Sequence, residues 1–317
     1  MGWDALSLVD AADDRPPIER RAVVRGDFLE LQARTVIERV PPAAGIAQRW
    51  AVSPYRGCAH ACRGCGARAG HRKLGLDEGR DFDTRIVVRP NVAERLRAEL
   101  ARWDGQELAV GLGGDCYQAA EETYRLMPGV IAALAAAGTP FTVYTKGAAV
   151  LRDAAPLARA GARVAVSIAF VDERIRRAVE PGAPPAQARL ELVSALVEAG
   201  VDCRVVMAPV LPLLSDAADQ LSATVRRIAS AGARRVEPVV LRLPAGTRAW
   251  YLRWLAQAHP QLVERYEELY DRAGLPSPGY EGRITGQIEQ LCRVYGMECG
   301  APPAERREPR AAQLALV

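Results

Sequence analysis

Lysine is almost absent from this sequence, and long apolar segments are missing altogether. Among its 42 basic residues only Lys73 and Lys146 are lysines, so both positions are informative. The longest apolar stretch, residues 130–137, is far shorter than the roughly 20 residues that span a bilayer, and we expect no membrane partner. The N-terminal segment has several aspartates and no basic region followed by an apolar run, which predicts no signal peptide.

The chain also has neither a strong net charge nor an even set of cysteines. Its formal net charge of +4 is weak, so composition permits a nucleic-acid partner without arguing for one. Seven cysteines is an odd number, and three of them fall within eight residues. This pattern fits metal binding in a reducing cytoplasm better than a disulfide framework, and we expect a cytoplasmic protein.

Short β-branched segments alternate with helical ones through most of the chain. Such alternation predicts parallel strands joined by right-handed helical crossovers. We count six strand–helix units, fewer than the eight of a complete barrel. The expected fold is therefore α/β, an open partial (βα)6 TIM-like barrel with a parallel sheet and a C-terminal helical region. The predicted strands are 50–53, 108–112, 141–145, 164–168, 203–207 and 236–241, and one of the helices is predicted over 121–137.

The same patterns predict how the chain is divided. Residues 1–25 are expected to be a disordered lead-in, and residues 26–245 the barrel. Residues 246–297 have helical periodicity and are expected to cover the open side or mouth of the barrel. The Pro-, Arg- and Glu-rich tail, 298–317, is expected to be disordered.

Three cysteines define the loop 55–66, whose sequence is YRGCAHACRGCG. Cys58, Cys62 and Cys65 are so close in sequence that their thiolates meet at little cost in loop closure. Thiolates bind soft metals, which leaves an iron–sulfur cluster or zinc, with His60 or His71 as a fourth zinc ligand. In a four-iron cluster, three cysteines leave one iron free to bind a small molecule.

The spacing Cys-x3-Cys-x2-Cys after a short strand resembles the radical S-adenosylmethionine (SAM) enzymes. Several further segments, in the right order, resemble the spore photoproduct lyase-like branch. The resemblance implies that Cys58, Cys62 and Cys65 hold a 4Fe–4S cluster, reduced by a donor such as flavodoxin or ferredoxin. It also implies that SAM bound there is cleaved to a 5′-deoxyadenosyl radical, which abstracts hydrogen from a substrate. The segments that carry this resemblance are 26–41, 53–58, 81–91, 145–146, 208–212 and 240–244.

The resemblance also assigns residues at three strand ends, where active sites of parallel barrels lie. Gly113, Gly114 and Asp115 resemble the segment that holds the SAM amino group, although an ordinary glycine turn remains an alternative. Lys146 is expected to pair with the SAM carboxylate unless it is a solvated lysine. Ser167 is expected to bind the SAM ribose or carboxylate, or else the backbone.

Cys116 and two glycines depart from the family pattern. Cys116 stands where related sequences have proline, and we consider it as a hydrogen-atom donor or as a small buried thiol. Spore photoproduct lyases have a cysteine on this strand, at a place that corresponds to about Leu112. Gly64 and Gly66 flank the third cysteine where larger side chains are usual, so adenine packing must come from elsewhere, Tyr55 and Tyr117 being the two candidates.

The substrate is not evident from the sequence, and a small molecule, a peptide or a nucleic acid all fit. Two alternatives to a radical SAM enzyme with an unidentified substrate remain. The first is a binding protein that zinc or a cluster merely stabilises. The second is a nucleic-acid lesion lyase or repair protein, although no basic, aromatic-interleaved patch stands out.

Overall fold

We analysed a computed structural model of the chain, which describes residues 23–25, 28–41 and 44–306. Most of the predicted lead-in and the end of the predicted tail lie outside these residues. The strands form a large and a small sheet. Their bounds are β1 Val23–Arg25, β2 Phe28–Glu30, β3 Ile37–Arg39, β4 Trp50–Val52, β5 Tyr55–Arg56, β6 Ile86–Val88, β7 Leu108–Val110, β8 Phe141–Thr145, β9 Arg163–Ser167, β10 Asp202–Val210, β11 Arg235–Val240 and β12 Glu298–Cys299.

The large sheet has the order β12-β11-β10-β9-β8-β7-β4-β3. Its six central strands, β4 and β7 to β11, all run parallel to one another. The predicted (βα)6 barrel is therefore confirmed. Two short strands were not predicted, and they extend its edges: β3 pairs antiparallel with β4, and β12 pairs parallel with β11.

The helices lie between these strands and after the last of them. The helix predicted over 121–137 is divided, because Arg125 has a left-handed φ of 46° and Pro128 suits only the first turn of a new helix. The bounds are α1 Arg80–Thr84, α2 Val92–Leu100, α3 Ala119–Tyr124, α4 Met127–Ala137, α5 Ala154–Ala160, α6 Glu173–Val179, α7 Ala186–Glu198, α8 Ala218–Ser230, α9 Thr247–Ala258, α10 Val263–Leu269 and α11 Pro278–Val294.

Strand side chains alternate between the helical layer and the barrel interior. Val52, Val110 and Val164 pack with helix residues in the main hydrophobic core. Their neighbours Ala51 and Ala109 are buried but lie outside that core. Because successive side chains of a strand point to opposite faces, these alanines face the interior.

The small sheet, with the order β1-β2-β6-β5, holds the start of the cysteine loop. β5 directly follows β4 and pairs antiparallel with β6. The Tyr55 hydroxyl donates to Glu121 Oε2 at 2.5 Å. These contacts fix the direction in which the chain enters the loop.

The C-terminal region packs at two places. Tyr251, Tyr266 and Tyr270 of the α9–α10 region form a second core with Leu241 and Leu243 at the end of β11. Helix α11 packs on α8 and β11. The predicted helical cover thus has one part at the carboxyl end of the sheet and one part on its side.

The described chain ends are more ordered than we expected. Strand β1 pairs with β2, although its residues fall in the predicted lead-in. In the predicted tail, β12 pairs with β11, and the backbone of Glu305 exchanges two hydrogen bonds with Glu107, at 2.8 and 2.9 Å. Backbone pairing, which the residue composition does not reveal, is the reason for both differences.

Candidate active site

The cysteine loop begins at a turn that only glycine fits easily. Gly57 has a φ of 83°, and a Cβ there would lie 2.9 Å from the Phe82 carbonyl oxygen. The Cys58 N–H donates to the same oxygen at 2.9 Å. The loop is thereby folded over the carboxyl ends of β4 and β7.

The three cysteines share one neighbourhood. Cys58 is buried, and Cys62 and Cys65 are half-buried. Burial raises the pKa of Cys58 to about 12, and the charges of Asp115 and Cys65 add to the effect. Burial also raises the pKa of Cys62, where Lys146 opposes the shift. Such mutual effects require that the thiols and the lysine lie close together.

Three thiols are a donor set that suits either an iron–sulfur cluster or zinc. Within the described ranges, no group of three or more His, Cys, Asp and Glu side chains could hold one metal ion. Thiolates of a 4Fe–4S cluster each bind a different iron and need not meet at one point. His71, one candidate zinc ligand, faces the Arg85 carbonyl oxygen at 3.2 Å and packs on Phe82.

His60, the other candidate zinc ligand, faces an acid instead. Its Nδ1 is buried and lies 3.5 Å from Asp115 Oδ2, with no hydrogen bond to any described residue. Burial lowers the pKa of His60, although Asp115 opposes the shift.

Gly113 and Gly114 let the end of β7 contact the cysteine loop. A Cβ on Gly114 would lie 2.1 Å from the Gly57 carbonyl oxygen, and one on Gly113 would lie 2.9 Å from Ser53. Gly113 O accepts from the Gly57 N–H at 3.2 Å. The two glycines are therefore required by packing, whatever else they bind.

Asp115 joins the ends of β7 and β8. Its carboxylate accepts hydrogen bonds from the Tyr117 N–H, the Thr145 hydroxyl and the Lys146 N–H, at 2.6–2.9 Å. These bonds place the start of the Lys146 side chain beside the cysteine loop.

Lys146 and Ser167 meet at the ends of neighbouring strands. The Lys146 ammonium donates to Ser167 Oγ at 2.8 Å, and Ser167 donates to the Ala208 carbonyl oxygen at 3.1 Å. Lys146 is 15% exposed, so it is not the solvated surface lysine of the alternative prediction.

Glu180 is a site residue that sequence reasoning missed. Its Oε1 lies 3.4 Å from Lys146 Nζ, and its Oε2 accepts from Arg189 at 2.7 Å. The following Gly182 packs on the cysteine loop, where a Cβ would lie 2.2 Å from the Ala59 carbonyl oxygen. The Glu-Pro-Gly sequence at 180–182 was the available signal, since Pro-Gly marks a turn.

Gln118 was also missed, and it holds the first cysteine in place. Its side-chain Nε2 donates to the Gly57 carbonyl oxygen at 2.9 Å, and its Oε1 accepts from the Ala59 N–H at 3.1 Å. The amide thus bonds to the residues on both sides of Cys58. Because Gln118 is buried, these two bonds are shielded from water.

Cys116 lies in the main hydrophobic core and has no exposed surface. Its thiol faces the Tyr144 carbonyl oxygen at 3.8 Å. Burial raises its pKa. This placement favours the buried thiol of our two alternatives over the hydrogen-atom donor.

The two tyrosines considered for adenine packing are engaged elsewhere. The Tyr55 hydroxyl bonds to Glu121, and that of Tyr117 donates to Asp153 at 2.8 Å. Both rings are buried. Their hydroxyl groups thus point to carboxylates of the helical layer, which does not support the adenine role.

Gly64 and Gly66 have different surroundings. A Cβ on Gly64 would lie 2.7 Å from Leu241 Cδ1 and 3.8 Å from Tyr251, whereas one on Gly66 would have no other atom within 4 Å. The space beside Gly64 is therefore filled by the end of β11 and by α9. This explains why a large side chain is absent at position 64.

A cavity of about 220 Å³ adjoins the loop. Its wall includes the inward-facing Ala51 and Ser53, the strand end at Leu112, and Gly66 and Lys73 beyond the cysteines. The cavity therefore lies between the β3–β4 edge of the large sheet and the segment that follows the three cysteines. No helix among residues 44–306 is long and apolar enough to cross a membrane.

Comparisons with known proteins agree with this geometry. A protein of Mycobacterium tuberculosis whose function is uncharacterised is 44% identical over 296 residues, which is 92% of this chain and 86% of the relative. A Mycobacterium bovis protein gives the same values. A protein of Acidianus two-tailed virus is 25% identical over 228 residues, which is 67% of this chain and 74% of the viral protein.

Solved structures of spore photoproduct lyase share the fold. They align with TM-scores of 0.65–0.67 at 14% identity, over 86% of this chain and 81% of the lyase. One of them is a variant with bound AdoMet and dinucleoside spore photoproduct. At this low identity the likeness shows the fold alone.

The family match covers the site itself. Residues 52–222, more than half of the chain, match the radical SAM superfamily. The matched segment contains the cysteine loop and the strand ends at Asp115, Lys146 and Ser167. Members of this family typically use a 4Fe–4S cluster and SAM. The chain therefore belongs to the radical SAM superfamily of enzymes.

Proposed function

We propose that this enzyme binds a 4Fe–4S cluster through Cys58, Cys62 and Cys65 and uses it to cleave SAM reductively. One observation carries the proposal: the three cysteines lie in one partly buried loop, and Asp115 lies between this loop and Lys146, 3.5 Å from His60 Nδ1 and bonded to the Lys146 N–H at 2.6 Å. An ammonium at this place suits a carboxylate bound beside the cluster. When bound, the cluster and SAM supply a 5′-deoxyadenosyl radical that abstracts hydrogen from the substrate.

The protein residues hold and orient these groups. Gln118 and the Gly113 carbonyl oxygen hold the cysteine loop against β7, and Gly114 packs closely on Gly57. Asp115 fixes the backbone at Lys146, whose ammonium we assign to the SAM carboxylate. Ser167 accepts a hydrogen bond from that ammonium and keeps it directed toward the loop.

Electrons must reach the cluster from outside. Cys65 is half-buried, and Gly66 after it is exposed with open space around its Cα. We propose that a flavodoxin or ferredoxin donates electrons at this edge of the loop.

Reductive SAM cleavage tests the proposal without knowledge of the substrate. The chain is reconstituted with iron and sulfide without oxygen, mixed with SAM and dithionite, and analysed for 5′-deoxyadenosine. We expect it from the unaltered chain and not from Cys62→Ala. Cys203→Ala is the matched control, because Cys203 is a buried thiol of β10 that packs in the main core.

Metal analysis separates the cluster from a structural zinc site. About four irons with sulfide per chain support the proposal, and one zinc without sulfide contradicts it. A cluster-loaded chain that forms no 5′-deoxyadenosine under these conditions would exclude the enzymatic function and leave a cluster-stabilised binding protein.

A further inference from the structure

The inner wall of the barrel carries a charged pair close to the proposed SAM site. Strand register places Tyr144, Ala165 and Arg204 in one row across β8, β9 and β10. The next row toward the carboxyl ends contains Ser167, Val206 and Glu237. Because residues two apart on a strand share a face, Arg204 lies on the face that Ser167 and Val206 share.

Small side chains stand beside this wall on other strands. Complete barrels of this kind fill their interior with bulky branched side chains. Here Ala51, Ala109 and Ala165 face the interior from three of the six strands. The side chains at these three positions are therefore smaller than those of a filled barrel. Gln48 and Glu107 enter the interior near them and bond to Tyr144 and Thr142.

Arg204 and Glu237 have polar atoms that lack a hydrogen-bond partner among the described residues. Each side chain is only 3% exposed, and Arg204 Nε lies 3.3 Å from Glu237 Oε2 without the alignment of a hydrogen bond. Nη2 of Arg204 donates to the Tyr144 hydroxyl at 3.0 Å. Its Nε and Nη1, and both carboxylate oxygens of Glu237, form no hydrogen bond with any residue that the structure describes. Such buried polar atoms are costly unless a ligand or water satisfies them.

The two opposite charges determine which ligand fits. A carboxylate at Arg204 would be repelled by Glu237, and an ammonium at Glu237 would be repelled by Arg204. A neutral group that presents a C=O acceptor beside an N–H donor satisfies both side chains at once. Amides, lactams and imides are groups of this kind.

The position of the pair agrees with a substrate site. Glu237 lies in the same row as Ser167, which bonds to Lys146. Arg204 lies two residues further from the strand ends, or about 7 Å at the usual rise of a strand. A substrate held by this pair would therefore extend toward the place that we assign to SAM.

We propose that Arg204 and Glu237 recognise the substrate, and that the substrate carries an amide, lactam or imide group. The proposal rests on the proposed function for the identity of the reaction, but its test does not require SAM cleavage. Failure of the proposed substrate recognition is therefore distinguishable from failure of the proposed SAM cleavage.

Three ring compounds of similar size and different charge test the pair. Glutarimide is neutral and presents C=O and N–H groups, cyclohexanecarboxylate is an anion, and piperidinium is a cation. Their binding to the full reconstituted chain with SAM and no reductant is measured by equilibrium dialysis. We expect binding of glutarimide, and binding of the two ions that is weaker by about tenfold or more.

Single variants should reverse this preference. Glu237→Gln leaves Arg204 uncompensated and should gain cyclohexanecarboxylate binding, whereas Arg204→Gln should gain piperidinium binding. A misfolded variant would not gain a ligand of defined charge. The double variant Arg204→Met with Glu237→Leu removes the pair without an unpaired charge and should lose glutarimide binding.

A second cavity supplies the control. It has a volume of about 470 Å³, lies at the amino ends of β9 to β11, and is lined by Arg235 as well as Arg204. Arg235→Gln should not change glutarimide binding. The proposal is overturned if the unaltered chain binds no glutarimide, if the double variant binds it unchanged, or if Arg235→Gln alone abolishes binding.

Discussion

The Lys146 ammonium lies 3.4 Å from Glu180 Oε1 in a place that is almost closed to solvent. Burial opposes ionisation of Glu180, but Lys146 and Arg189 outweigh it and hold the pKa of that carboxyl below its ordinary value. Lys146 thus has an anionic partner that keeps it charged before any ligand binds. The pair connects the β8 end to the segment after α6, both beside the cysteine loop.

Replacing Lys146 with methionine should weaken SAM binding by about tenfold or more, because a charge-assisted hydrogen bond in a partly dry site is lost. Equilibrium binding of radiolabelled SAM to the reconstituted chain measures this effect, and 5′-deoxyadenosine formation should fall with it. Lys73→Met is the control, because Lys73 is the other lysine and is exposed. Equal SAM affinity in both variants would show that Lys146 has no role in SAM binding.

Gln118→Leu should reduce the iron bound after reconstitution. It removes the two hydrogen bonds that hold the residues on either side of Cys58. Gln118→Glu should have a smaller effect, since it keeps the acceptor for the Ala59 N–H and loses only the donor to Gly57 O. Iron content and absorbance near 400 nm are the measurements. Full iron loading of the Leu variant would mean that the loop holds its shape unaided.

Gly64→Ala should lower the free energy of unfolding by about 1–3 kcal/mol, the usual cost of overpacking. The added methyl group would lie 2.7 Å from Leu241 Cδ1, and Leu241 would have to move within its core with Tyr251. Gly66→Ala is a close control, since its methyl group would meet no other atom within 4 Å. Urea unfolding measures the stability of both variants. Equal stabilities would show that the methyl group at position 64 is not overpacked against Leu241.

Cys116→Ala should keep SAM cleavage within about twofold, because the thiol lies in the core. It should also cost about 1 kcal/mol of stability for the small cavity left behind. The rates of 5′-deoxyadenosine formation by this variant and by Cys62→Ala are compared. A normal rate together with a diverted product, once a substrate is known, would restore the hydrogen-donor hypothesis for Cys116.

His71 should make the protein less stable in mild acid. Burial lowers the pKa of His71 to about 4, against a value of 6.5 for an ordinary histidine, so the unfolded chain takes up a proton first. The contribution of neutral His71 to the free energy of unfolding is fully present above pH 6.5. It is lost as the pH falls toward 4, by about 3 kcal/mol in total. His71→Gln should flatten this part of the stability–pH curve, measured by urea unfolding at several pH values.

The half-buried His259 provides the comparison for that experiment. If His71→Gln and His259→Gln give the same slope, the acid sensitivity has another source.

The spacing of residues along the chain was enough to predict the framework. The alternation of β-branched strands with helices gave the six parallel strands, because each pattern has its own period. The helix over 121–137 was divided in the structure, since one left-handed residue and one proline outweigh the helical preference of their neighbours. The ordered pieces of the two chain ends were missed because they depend on strand partners far away in sequence.

The sequence by itself determined that three thiols meet in one loop, since eight consecutive residues cannot separate far, and that Lys146 follows a strand. Only the tertiary structure decided that Glu180 accompanies Lys146, that Gln118 braces Cys58, and that Cys116 is in the core. It also paired Arg204 with Glu237 across two strands. The physical reason is that local spacing fixes which face a side chain occupies, whereas its partner depends on strand register and on how loops from different units pack.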